Sequence, residues 1–105
     1  MNERDDKQMQ IKAMAKFFAK INSAEEFEEL FSDLCTYKET EQMALRLNCA
    51  YLLKNGETYN GVMEKVAVSS ATLSRVSRCV SHGSGGYNTL IDKYGYKPEE
   101  DADNI

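Results

Sequence analysis

The sequence contains no tryptophan, a single proline, Pro98, and a single histidine, His82. Nothing before Gly56 is a glycine or a proline. Such a stretch favours helix over sheet, because the residues that cost most in a helix are missing from it. No window stays apolar for the length of a membrane span. The stretch from Met1 to Lys12 is polar and lacks the apolar centre of a secretory signal, so a cytoplasmic protein is expected. The three cysteines, Cys35, Cys49 and Cys79, form no C-x-x-C pair, and each lies in an apolar or helical setting. They read as reduced, buried thiols. His82 has only Cys79 near it in sequence, so no metal is expected. There is no glycine-rich phosphate loop after a strand and no nucleophile–base pair at workable spacing, so an enzyme is not expected. Tyr37, Tyr51, Tyr59, Tyr87, Tyr94 and Tyr96 read as packing residues.

Positive charge is also scarce: the net charge is −4. Its distribution is uneven. Residues 1–53 hold seven Lys/Arg against ten Asp/Glu, residues 54–97 six against three, and residues 98–105 four acids and no base. The mildly basic stretch is the part of the chain most suited to nucleic acid. The length predicts one domain, with residues 1–8 as a frayed start, 9–96 as the folded body and 97–105 as an acidic, flexible tail.

What the chain does have is a succession of helical patterns. Met14, Phe17, Phe18 and Ile21 form one stripe, which predicts a helix from about Met9 to Ile21. Ser23-Ala24-Glu25-Glu26 is a capping box that starts a helix carrying Phe27, Leu30, Phe31 and Leu34. Glu25, Glu26, Glu28 and Glu29 read as a solvated face near its positive dipole end. Thr36-Tyr37-Lys38-Glu39 is a second capping box, and a long helix is expected from there to about Asn55. Its Met43, Leu47, Ala50 and Leu53 line one side, and Leu45, Cys49 and Leu52 another. A helix apolar on two sides must be covered on two sides, and in a chain this short the second cover is expected to be another subunit.

After Gly56 the units shorten. Thr58 caps a short helix from about Tyr59 to Val66, a turn follows at Ala67-Val68-Ser69, and a second helix runs from Ser70 to about Ser81. A last helix, about Tyr87 to Tyr94, is expected to pack Leu90, Ile91 and Tyr94. The span from Thr58 to Ser81 has the pattern of a helix-turn-helix: Val62 and Val66 anchor the first helix, Val68 plugs the turn, and Leu73 and Val76 anchor the second. Ser69, Ser70, Ala71, Thr72 and Ser74 remain outward. Small hydroxyl side chains let a helix tip approach base edges and phosphate. The same serines also suit plain capping, which needs no DNA.

The stretch Phe31-x-Asp33-Leu34-Cys35-Thr36-x-x-Glu39, then Ala44-x-Arg46-Leu47, then Leu53, and above all the block Ser70-Ala71-Thr72-Leu73-Ser74-Arg75-Val76-x-Arg78-Cys79, resembles the Trp repressor superfamily, and within it the YerC/YecD group of TrpR-like proteins. The likeness runs from about Phe27 to Tyr94. It implies an all-α, six-helix fold and an intertwined homodimer in which the fourth and fifth helices read DNA. It also implies a palindromic operator with half-sites about 34–36 Å apart or a multiple of that, as in other helix-turn-helix dimers, Trp repressor among them. By position, Ser70, Ala71 and Ser74 face bases, while Tyr59, Asn60 and Thr72 contact phosphate. Charge and helix phase add Arg78.

The same resemblance implies an effector pocket at Thr36, Arg46, Arg75, Val76 and Cys79. Two departures bear on it: Val76 stands where the tryptophan-binding relative has glycine, and Cys79 where it has serine. Overpacking costs about 1–3 kcal/mol and a lost charge-assisted hydrogen bond about 1.5–3 kcal/mol. Set against about 8 kcal/mol for micromolar binding, these lead us to expect weak or absent tryptophan binding and no cofactor. Arg46 and Arg75 then serve structure, in ion pairs to Glu39 or Glu41, or contact phosphate, with a different small-molecule effector as the alternative. The expected function is a DNA-binding transcriptional regulator, a repressor. The rival is a dimeric helical adaptor that has lost DNA affinity, which the acidic balance favours.

Overall fold

The computed structural model describes residues 2–98, and the acidic tail beyond Pro98 lies outside the described residues. Among the described residues there are six helices and no strand. The chain divides into two compact units, Met1–Lys38 and Glu39–Ile105.

The first unit holds α1 (Glu3–Phe18) and α2 (Ala24–Leu34). The reading from apolar spacing starts α1 near Met9, but the helix begins at Glu3. Asn2 is its N-cap and accepts from the Asp5 N–H at 2.9 Å, and Glu3, Asp5 and Asp6 lie in the positive first turn. A cap and helix-dipole charges start this helix without any apolar residue. Its end also comes early, at Phe18, so Ile21 lies beyond the helix. Ser23 caps α2 as expected, accepting from the Glu26 N–H at 3.1 Å. Phe18, Phe27 and Phe31 form an aromatic cluster, with the Phe27 and Phe31 rings stacked at 4.3 Å. Neither helix buries a residue. Met9, Ile11, Met14 and Phe17 are all exposed, and so are Phe27 and Leu34.

The second unit holds all but the first turn of α3 (Tyr37–Lys54), with α4 (Tyr59–Lys65), α5 (Ser70–His82) and α6 (Gly86–Tyr94). Gly56, at φ +91°, follows the end of α3 in the left-handed conformation that only glycine adopts freely. The core is Cys49 and Ala50 from α3, Val62 from α4, Val68 from the turn, and Leu73 and Val76 from α5. Leu45, Leu52, Leu53, Tyr59, Val66, Val80, Tyr87 and Ile91 pack around it. The anchors read from the sequence therefore lie where expected.

Two further expectations fail. Leu90 and Tyr94, expected to pack, are 53% and 74% exposed, and α6 docks through Tyr87 and Ile91 instead. The apolar pattern marks Leu90 and Tyr94 for cover without saying that this chain supplies it. Of the three cysteines, all free, only Cys49 is buried; Cys35 and Cys79 are half-buried. Burial pushes the Cys49 thiol above its ordinary range by desolvation. Lys54 bonds to Asp92 at 3.0 Å, joining α3 to α6. Among the described residues no helix is long and apolar enough to cross a membrane.

Candidate nucleic-acid interface

Two caps shape the helix-turn-helix. Thr58 accepts from the Gly61 N–H at 2.9 Å and starts α4. Ser69 accepts from the Thr72 N–H at 3.1 Å and starts α5, and it donates to the Thr72 hydroxyl at 3.0 Å. Between them the chain turns at 66–68, where the Val68 N–H meets the Val66 carbonyl at 2.9 Å. Val68 is then buried while Ala67 and Ser69 stay exposed. The turn thus forces one apolar side chain inward and leaves the tip of α5 in solvent.

On that tip Ser69, Ser70, Ala71 and Ser74 are exposed and Thr72 is half-buried. Asn60 is exposed on α4. Behind them Leu73 and Val76 are fully buried, so the outward phase of α5 is fixed by what lies inward. Arg78 is exposed on the same helix. It shares one groove with Tyr59, Ser74, Ser77, Ser81 and His82, and a second with Arg75, Cys79, His82 and Gly83. Sequence reasoning missed Ser77, Ser81 and His82. Their signal was helical spacing from Ser70 and Ser74 along the same face.

Tyr59 behaves differently from its neighbours. Its ring packs against the core while its hydroxyl reaches across to α5. That hydroxyl donates to the Ser70 carbonyl at 2.8 Å and lies 3.3 Å from the Ser70 hydroxyl and 3.2 Å from that of Ser74. The Ser70 and Ser74 hydroxyls hold the Tyr59 phenol below its ordinary range by hydrogen bonding to it. At the far end of α5 the Asn88 amide donates to the Val80 carbonyl at 2.7 Å. Glu57 and Lys65 form an ion pair flanking α4.

The residues expected around an effector fall in both units. Arg75 and Cys79 share a groove, and Arg46 is half-buried on α3. Val76, expected to project into a ligand slot, is fully buried in the core cluster with Cys49 and Ala50. Thr36 is exposed in the first unit. Among the described residues no group of three or more His, Cys, Asp or Glu could hold a metal ion.

The Trp repressor protein family matches residues 9–94. The chain is similar to the uncharacterized protein YerC of Bacillus subtilis (strain 168), at 36% identity over 85 residues, covering 78% of this chain and 82% of YerC. It is also similar to the crystal structure of a candidate Trp repressor from Staphylococcus aureus, with a TM-score of 0.81 and 27% identity, covering 92% of this chain and 97% of that one. The matched span takes in α4, the turn and α5, and the chain belongs to the Trp repressor family.

Proposed function

We propose that this protein is a cytoplasmic transcriptional repressor that binds a palindromic operator as an intertwined homodimer. The observation that carries the reading is the tip of α5, where Ser69, Ser70, Ala71 and Ser74 are exposed over a filled core. In this reading Ser70, Ala71 and Ser74 meet base edges, Ser69, Asn60 and Thr72 meet the backbone, and Arg78 neutralises phosphate. The local surplus of base over acid in residues 54–97 offsets the acidity of the rest of the chain at the surface where DNA lies. A second copy is the natural cover for the exposed Met9, Met14, Phe17, Leu90 and Tyr94, whose burial contributes about 25 cal/mol per Å². In this reading tryptophan binds weakly or not at all, a reading supported by the burial of Val76 in the core cluster.

The test is a fluorescence-polarisation titration on genomic fragments, recovered by footprinting of the tagged protein, at two salt concentrations. Affinity falls steeply with salt, because each neutralised phosphate releases counterions. Arg78→Ala weakens binding to all duplexes alike and lowers the salt slope by about one per protomer. Binding that ignores salt, or a pull-down that yields a protein partner while no fragment binds, replaces the repressor with the adaptor.

A further inference from the structure

Tyr59 has one hydroxyl proton and three oxygen neighbours. The nearest, the Ser70 carbonyl at 2.8 Å, can only accept, so the tyrosine proton goes there. Towards the Ser70 and Ser74 hydroxyls, at 3.3 and 3.2 Å, the phenol oxygen is then left as acceptor. As hydrogen bonds, both contacts then have the serines as donors to Tyr59, which leaves their lone pairs to solvent. The phenol lies below its ordinary range, chiefly through Ser70 and then Ser74, which agrees with hydroxyls that donate to it.

We infer that Tyr59 is a specificity-determining positioning residue: by taking the hydroxyl protons of Ser70 and Ser74 it makes both serines hydrogen-bond acceptors, matched to the amino groups of adenine N6 and cytosine N4 in the major groove. The inference rests on the DNA-reading function proposed above. Ordinarily a serine hydroxyl rotates to suit either a donor or an acceptor, so two free serines discriminate little. Tyr59 removes that freedom, and the ring holds its place because it packs against the core. The role differs from a phosphate contact, since the hydroxyl is already engaged within the protein.

The test uses the full chain and its Tyr59→Phe variant, which keeps the ring and loses the hydroxyl. Thermal unfolding of both establishes that the variant folds. Each is titrated with an operator duplex recovered by selection, and with duplexes in which single adenines become purine or single cytosines become 2-pyrimidinone, deleting one amino group at a time. In the native chain, at one or more positions of each half-site, the deletion weakens binding about five-fold, the worth of one specific hydrogen bond. In Tyr59→Phe the same deletion has little effect, and the salt slope is unchanged. Equal amino-group dependence in both proteins, or none in the native chain, overturns the inference and leaves the repressor standing. A salt slope lowered by about one per protomer in Tyr59→Phe also overturns it, returning Tyr59 to the phosphate backbone. A native chain that binds no duplex at all removes the DNA function and this inference together.

Discussion

Ser70→Glu abolishes operator binding without unfolding the protein. Ser70 is the first residue of α5 and is exposed, so a longer side chain meets no packing obstacle. The first turn of α5 contains no acid, and a carboxylate there stabilises the helix by about 0.3–1 kcal/mol. The Ser70 carbonyl that anchors Tyr59 belongs to the backbone and survives the change. In the proposed complex the same carboxylate enters a groove walled by phosphates, and like-charge juxtaposition costs several kcal/mol, a loss of affinity of about 100-fold or more. The expected pair of results is a melting temperature at or slightly above the native value and no measurable polarisation change with operator. Undiminished binding removes Ser70 from the contact surface.

Val76→Gly has the opposite signature. The position looks like a route back to a tryptophan-binding pocket, since glycine stands there in the family's tryptophan binder. In this chain, however, Val76 is fully buried with Cys49, Ala50, Val62 and Leu73. Deleting its three side-chain carbons forfeits about 0.8 kcal/mol each, and glycine in a helix interior costs about 1 kcal/mol relative to alanine. The total, about 3 kcal/mol, is a large share of the about 5–15 kcal/mol that holds a domain of this size together. Calorimetry should show melting lowered by about 12 °C or more. Tryptophan should recover none of that loss, because Cys79 also departs from the ligand-holding serine. A ligand that binds the native state raises stability in proportion to the logarithm of its saturation, so a melting temperature that climbs with added tryptophan would show that Val76 alone bars the pocket.

The reading of the sequence succeeded where a residue's role is written in its own neighbourhood. Ser23, Thr58 and Ser69 cap helices because a short oxygen-bearing side chain precedes an apolar period, and each does cap one. Val62, Val68, Leu73 and Val76 were legible because their spacing turns four apolar side chains to one side, and all four are buried. The start of α1 was missed because residues 3–8 carry no apolar residue, so periodicity is silent there; Asn2 was the usable signal. Leu90 and Tyr94 were misjudged because apolarity marks a residue for burial without naming the surface that buries it. The bridge from Tyr59 to Ser70 and Ser74 spans 11 and 15 residues and follows no helical period. Only the fold brings those oxygens together.

The Asn88 contact holds the far end of α5. Its first turn is held by the Tyr59 hydroxyl on one side, and its last turn by the Asn88 amide on the other. These two contacts resist tilting and fraying of the helix. The ordering cost that a loose recognition element meets at the moment of docking has already been met during folding. In the proposed complex mismatched DNA would bend toward the protein, and discrimination should extend to base steps that no side chain touches, through their stiffness.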